Sequence, residues 1–306
     1  MTTEWINKYR PETFEQVYGN KSVVKSLKAA IEKGAARSFL LTGQSGVGKT
    51  TLARIAAKAA GAIAYGDIQE IDGATNTGID AMRAVLDALS YRPVGLSKAK
   101  AVIVDEAHAL SKPAITALLK SLEEPPDWLY WFLCTTEENR IPANVRTRLF
   151  RADLKAIRQN DLVALLDHVC EQEKLSTPER VVDACAASAS GSARQAISNL
   201  AMCAAARSTK EVDTILKTAS EKAEAVELAR ALMFGNWTTA QSLLGRLGDT
   251  SPESVRYIVR AYVSKVVRGA KREAVAGRGC EVLDAFSQPF YDNAALDLAV
   301  GRILLS

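Results

Sequence analysis

No apolar run in the 306 residues reaches the roughly 18 that a helical membrane span requires, so no contact with a bilayer interior is expected. The start, Met1-Thr2-Thr3-Glu4-Trp5, lacks the basic lead and apolar stretch of a secretory signal, and the expected location is the cytoplasm. Cysteine is scarce and unpaired: Cys134, Cys170, Cys185, Cys203 and Cys280 are scattered, odd in number and nowhere spaced as C-x-x-C. That pattern argues against a disulfide framework and a zinc module, and fits a reducing compartment. There is no internal repeat and no low-complexity segment. Nor does one sign of charge dominate: 39 basic against 35 acidic residues leave +4, compatible with a polyanionic partner without requiring one.

What is present is ordinary soluble-protein composition, 48% hydrophobic and 24% charged, in a chain long enough for two or three domains. Short β-rich apolar runs predict strands at Phe39 to Thr42, Ile68 to Asp72, Ala101 to Asp105 and Trp131 to Thr135. Helical patterns fall between them at Lys49 to Ala60, Gly78 to Ser90, Lys112 to Glu123 and Pro142 to Leu149. Alternation of this kind builds a parallel sheet with helices on both faces, so residues 1–155 are expected to form an α/β domain. Beyond about Leu154 the β-rich runs stop and helical spacing continues to Leu305. Helix starts are signalled by Ser176-Thr177-Pro178-Glu179 and Ser251-Pro252-Glu253, with Pro expected at the first helical position. A break at Arg207-Ser208-Thr209 divides this part into a small helical unit, 156–207, and a final bundle, 208–306.

Gly43-Gln44-Ser45-Gly46-Val47-Gly48-Lys49-Thr50, followed by Thr51, is a full G-x-x-x-x-G-K-[ST] match between a predicted strand and a predicted helix. Such a loop turns successive N–H groups, and the positive end of a helix, toward phosphate oxygens. Lys49 is then placed to reach the β- and γ-phosphates and Thr50 to ligate Mg²⁺. A second element, Ala101-Val102-Ile103-Val104-Asp105-Glu106, is a buried strand ending in two carboxylates. Downstream of a phosphate loop, Asp105 suits Mg²⁺ and Glu106 suits the orientation and deprotonation of water. His108 completes Asp-Glu-Ala-His, a string also found in a class of RNA helicases, but those need a second α/β motor domain where this chain is helical. We read His108 as a helix-start or packing residue. Thr135 and Thr136 close another strand, where a hydroxyl can report on a γ-phosphate. Arg146, Arg148 and Arg151 read locally as a solvated basic helix end, and spacing alone places neither them nor Arg194.

Taken together, these motifs resemble the AAA+ clamp-loader subunits: the small replication factor C subunits, the bacterial tau/gamma subunits and their phage counterparts. The resemblance runs from Trp5 to about Ala205. It is carried by Lys8-Tyr9-Arg10-Pro11-Glu12-Thr13-Phe14 with Val17 and Gly19, by the phosphate loop, by Ile71-Asp72-Gly73-Ala74-Thr75-Asn76-Thr77-Gly78-Ile79-Asp80, by Asp105-Glu106-Ala107-His108-Ala109-Leu110-Ser111, and most distinctively by Ala117-Leu118-Leu119-Lys120-Ser121-Leu122-Glu123-Glu124-Pro125-Pro126. It implies that Tyr9, Arg10, Pro11 and Val17 wrap the adenine and that Thr136, beside Thr135, is the first sensor. It further implies that Arg194 in Gly191-Ser192-Ala193-Arg194 is the second sensor, acting in cis from a helical lid. Arg148 aligns with the finger that reaches a neighbour's ATP, although Thr147 and Leu149 replace the family's serine and cysteine; Arg146 is the alternative. The four-cysteine zinc insert of bacterial tau/gamma subunits is missing between Ala62 and Asp67, which is closer to the phage and replication factor C small-subunit design.

Through the resemblance the expected cofactors are ATP and Mg²⁺. The expected partners are other loader subunits in a homo- or hetero-oligomer, pentameric in the family, a sliding clamp and primer-template DNA. The last hundred or so residues are expected to form a helical collar. Met82, Val85 and Leu86 are candidates to face the clamp, and Arg92, Lys98, Lys100 and Lys112 to face DNA. Two other readings stay open: a nucleotide-binding structural subunit without turnover, and another AAA+ DNA motor such as a branch-migration helicase.

Overall fold

The computed structural model describes residues 2–64, 66–75, 78–89, 91–93 and 96–305. Asn76 and Thr77 of the second motif, and Ser90 at the end of an expected helix, lie outside them. In chain order the first unit contains α1 (Thr2–Lys8), α2 (Lys21–Glu32), β1 (Ser38–Thr42), α3 (Lys49–Ala59), β2 (Ile68–Asp72), α4 (Ile79–Ala88), β3 (Lys100–Asp105), α5 (Lys112–Glu123), β4 (Leu129–Thr135), α6 (Ala143–Arg146), β5 (Phe150–Asp153), α7 (Gln159–Glu173), α8 (Glu179–Ala187) and α9 (Ala193–Cys203). The all-helical remainder is α10 (Thr209–Phe234), α11 (Trp237–Arg246), α12 (Pro252–Gly269), α13 (Glu273–Ala285) and α14 (Asn293–Leu304). The chain forms two compact units, Met1–Val212 and Asp213–Ser306, the division falling inside α10. No helix of the described residues is long and apolar enough to cross a membrane.

The sheet has five parallel strands in the order β2-β3-β4-β1-β5. Because successive side chains point to opposite faces, Phe39 and Leu41 enter one core and Leu40 the other. The first core joins β-strand residues Ile103 and Phe132 to α2 and α3, and contains a stacked Phe39–Phe132 pair with centroids 5.1 Å apart. The second joins Val102, Val104, Trp131 and Leu133 to α4 and α5. A sheet covered on both faces needs continuous apolar strands, which is why β1 and β4 are buried throughout. Two buried polar side chains in this layer are paired: Trp131 Nε1 donates to Ser121 Oγ at 3.0 Å, and Ser38 Oγ donates to the α5 carbonyl of Leu122 at 2.8 Å.

Several expectations change. The helix expected over Pro142 to Leu149 is only the single turn α6, and the chain then adds a fifth strand. Arg151 therefore sits on β5, not at a helix end, and pairs with Glu138 at 2.7 Å. Met82 and Val85 are buried in the second core with Leu86 packed against them, so they hold α4 on the sheet and offer no clamp-facing surface. Pro252 opens α12 at its first position as expected, whereas α8 begins one residue later than expected, after Pro178.

In the second unit, Leu228, Leu232, Val255, Val259, Val263, Val282, Phe286 and Val300 form a single core. Its one buried cation among the described residues is compensated locally. Arg256, 5% exposed, pairs with Glu253 (Nε to Oε2, 2.7 Å), and Glu253 also accepts from the Phe290 backbone N–H at 3.0 Å. The Arg256 hydrogen bonds, then that N–H, hold the Glu253 carboxyl at about 2, below the ordinary value of 4.5. A depressed carboxyl contributes its full stabilisation above the unfolded value and loses it as pH falls toward the folded one. Glu253→Gln should therefore flatten the acid limb of stability between about pH 4.5 and 2. Thermal unfolding of variant and wild type across that window checks it; parallel acid limbs would refute it.

Candidate active site

β1, β4 and β3 are neighbours in the sheet, so their C-terminal ends deliver the phosphate loop, Thr135-Thr136 and Asp105-Glu106 to one edge. Ligands of open α/β sheets gather at such carboxyl ends. The loop leaves β1 at Gly43, whose φ of 142° and contact with the Leu154 carbonyl leave no space for a side chain. Lys49, 6% exposed, begins α3 and donates from Nζ to the carbonyls of Gly43 (2.8 Å) and Gln44 (3.0 Å). Burial pushes its ammonium below the ordinary lysine value, with Arg194 adding to the effect while Glu106 and Asp105 oppose it. Thr50 Oγ1 donates to Asp105 Oδ2 at 2.8 Å, joining the loop to the end of β3.

Glu106 takes a left-handed backbone conformation, φ 46°, unusual outside glycine. Thr136 Oγ1 donates to its Oε2 at 3.4 Å. His108, mostly buried in a single tight turn, engages both ring nitrogens: Nδ1 lies 3.0 Å from Thr135 Oγ1 and 3.3 Å from Glu106 Oε2, and Nε2 lies 3.2 Å from Glu137 Oε1. It therefore bridges Glu106 to the end of β4, a role beyond the packing expected of it.

The helical segment α7–α9 closes the other side. Gln44 Nε2 donates to the Ser190 carbonyl at 2.7 Å, and Gly46 lies so close to Ser192 and Arg194 that a side chain there would collide. The cleft is lined by Tyr9, Arg10, Pro11, Val17, Ser45, Gly46, Val47, Gly48, Lys49, Thr50, Thr51, Asp105, Glu106 and Arg194, all expected from the sequence. Gly43 and Gln44 shape the loop without lining the cleft, and Thr136 reaches it through Glu106. Arg148 is outside the lining: exposed on the chain after α6, it pairs with Glu123 and donates to the Asn144 carbonyl. Arg146 is held by Glu138 at 3.4 Å, with Nε buried and without a hydrogen-bond partner.

Sequence reasoning missed Ile6, Tyr18, Leu52, Arg54, Ile157, Leu165, Ala193 and Ile197 in the lining. Arg54 lies one helical turn beyond the loop and pairs with Glu70 of β2, a spacing that could have flagged it. Leu165 and Ile197 reach the cleft because α7 and α9 fold over it. Tyr9 is also fixed there, donating its hydroxyl to Glu173 Oε1 of α7 at 2.6 Å.

A five-stranded parallel sheet with this loop, an acidic strand end and a helical cover defines a P-loop protein of the AAA+ fold. Solved structures agree on that fold: Thermotoga maritima RuvB, a Holliday junction branch migration motor, superposes with a TM-score of 0.56 at 22% identity over 69% of this chain and 72% of that one. A point variant of the same RuvB gives 0.56 at 18% identity over 87% and 94%. Family models match for the Rad17 P-loop domain over residues 1–77 and for the DNA polymerase III delta subunit over 61–158. By sequence the chain is related to the DNA polymerase III tau and gamma subunits. It is 34% identical to the tau subunit of Bacillus subtilis over 63% of this chain and 38% of that protein, and 33% identical to the gamma subunit of Buchnera aphidicola over 63% and 59%. Against the Escherichia coli tau subunit the identity is 30% over 78% and 40%. The chain thus spans from two fifths to three fifths of these relatives' lengths.

Gly73, after β2, donates its N–H to the Asp105 carbonyl at 2.8 Å, and a Cβ there would meet Glu106 O at 2.7 Å and Asp105 O at 3.0 Å. Gly73→Ala should displace the acidic strand end and cost about 1–3 kcal/mol, typical of overpacking against backbone. A lowered unfolding midpoint checks this; an unchanged midpoint with intact nucleotide binding would contradict it.

Proposed function

We propose that the chain is an ATP-hydrolysing subunit of a DNA sliding-clamp loader. The observation that carries the reading is the Thr50–Asp105 hydrogen bond, which joins phosphate loop and acidic strand end inside one cleft, in a chain related to DNA polymerase III tau and gamma subunits. The donor set fits a nucleoside triphosphate. A buried ammonium satisfied, among the described residues, by its own loop's carbonyls favours an incoming anion, and the Thr50 hydroxyl with the Asp105 carboxylate forms the hard oxygen pair that Mg²⁺ prefers. Bound Mg²⁺ would neutralise charge on the phosphates.

Within this reading Lys49 faces the β- and γ-phosphates and the Gly46, Val47 and Gly48 backbone cradles them. Tyr9, Arg10, Pro11 and Val17, with Ile157, Leu165 and Ile197, supply a mixed apolar wall for a flat base. Glu106 holds and deprotonates the attacking water, its side chain steadied by Thr136 and His108. Arg194 approaches the phosphates from the lid, 156–207. Arg148 serves a neighbouring subunit: it is exposed and, among the described residues, tied to Glu123 and Asn144 alone, whereas Arg146 is committed to Glu138. The 208–306 helices act as a collar in an oligomer, pentameric by family analogy, working in the cytoplasm on a sliding clamp and primer-template DNA.

Glu106→Gln should bind nucleotide near normally while losing at least about 100-fold in turnover stimulated by clamp and primer-template DNA. Full stimulated turnover would sink the assignment. Arg148→Ala should likewise spare binding and remove most hydrolysis, and activity should return when it is mixed with Glu106→Gln in an oligomer, since each variant then supplies what the other lacks. Equal losses of binding and turnover, or no recovery on mixing, would contradict a role in trans. ATP-driven strand movement without any clamp would instead support a branch-migration motor.

A further inference from the structure

From Arg256 to Arg272 the sequence carries Arg256, Arg260, Lys265, Arg268, Lys271 and Arg272 and not one aspartate or glutamate. In the second unit this stretch is α12 and the turn after it. Val255, Val259 and Val263 bury one face of the helix, which turns Tyr257, Ala261, Lys265 and Arg268 outward. The cations divide into two groups. Arg256 and Arg260 are structural: Arg256 neutralises Glu253, and both guanidinium groups donate to the Phe286 and Ser287 carbonyls beyond α13. Lys265, Arg268, Lys271 and Arg272 are exposed and have no ion-pair partner among the described residues.

We infer that this face of α12 is a binding surface for single-stranded nucleic acid, separate from the nucleotide cleft. Two shallow depressions share Lys265. One is lined by Tyr257, Ala261, Ser264 and Arg268; the other by Gly269, Ala270, Lys271 and Arg272, with Tyr262, Val266 and Val275 beside them. Small side chains between cations admit a phosphate backbone closely, and a positively charged trough with an aromatic platform is how single strands are held without sequence preference. Tyr257 supplies the platform: it is 63% exposed, and the Arg256 guanidinium, 4.6 Å from its ring centroid, packs against the ring and limits its movement. Tyr257 to Arg268 spans roughly 16 Å at about 1.5 Å per residue. That accommodates about five nucleotides at roughly 3.4 Å each. A lipid surface fits less well, because an interfacial helix needs exposed large apolar side chains, and here the exposed positions are cations, small residues and Tyr257, while Tyr262, Val266 and Val275 beside the second depression are half-buried.

The proposal does not rest on the loader reading, and its test keeps the two apart. Full-length protein is titrated with fluorescein-labelled oligothymidylate at several salt concentrations, alongside a fluorescent ATP analogue. Lys265→Gln with Arg268→Gln should weaken DNA binding about tenfold and reduce the salt slope by about 1.4, at roughly 0.7 per lost phosphate contact on a single strand. Tyr257→Ala should weaken DNA binding by about fivefold or more without changing that slope. ATP-analogue affinity should not move in any of these variants. Lys271→Gln with Arg272→Gln, beyond the helix, serves as an independent second pair if the first variant unfolds. Unchanged DNA affinity and slope in both pairs would overturn the inference. So would equally strong binding to phosphatidylserine vesicles that is insensitive to Tyr257→Ala, or variants that alter the oligomeric state and leave DNA affinity intact.

Discussion

The structure of the site depends on one buried cation. Lys49 begins a helix, points its ammonium back into the loop that precedes it, and among the described residues donates to the carbonyls of Gly43 and Gln44 alone. Those bonds require the loop to curl, and the curl requires glycine at Gly43, pressed against the Leu154 carbonyl where the chain leaves β5. Burial makes the charge costly and pushes the Lys49 ammonium below the ordinary lysine value. Asp105 and Glu106 offset part of that cost, and a phosphate would offset more. The loop is thus held in shape by the charge that an anion is needed to satisfy.

That constraint propagates outward through short contacts. Thr50 ties the loop to Asp105, Gly73 lets β2 press its backbone against the same strand end, and His108 with Thr136 extends the connection to β4. On the other side Gln44 and Gly46 meet the start of α9, so a change in the loop is felt at once by the helices carrying Arg194. The chain between β4 and β5 adds Glu137 against His108 and Glu138 against Arg146 and Arg151. Polar contacts from the proposed base reach Glu137, and its chain neighbour Glu138 pairs with Arg146 in the turn that presents Arg148.

Much of the first unit was legible because its signals are local. Four of the five strands lie at the positions expected of them, β1, β3 and β4 as apolar runs, and the phosphate loop and Asp105-Glu106 are contiguous strings whose chemistry is set by residue type. β5 escaped notice because Phe150-Arg151-Ala152-Asp153 is short and half charged; it is a strand only by pairing with β1. Met82 and Val85 illustrate the opposite error, since apolar residues at helical spacing look the same whether they face a partner or a core. Leu165 and Ile197 could not be assigned to the site from sequence, because helical periodicity says which face is apolar and nothing about what it covers. His108 was discounted for lacking a helicase context, whereas its position between Glu106 and Thr135 depends on the separation of two strand ends.

The central claim is that the buried Lys49 ammonium makes this cleft a nucleotide site. Equilibrium titration of a fluorescent ATP analogue into wild type and Lys49→Ala, with both shown to be folded by their unfolding midpoints, tests it most directly. The account predicts roughly a hundredfold weaker binding or more, about 2.8 kcal/mol at 1.4 kcal/mol per tenfold step, from the loss of charged hydrogen bonds to phosphate. Equal affinity in the two proteins would contradict it.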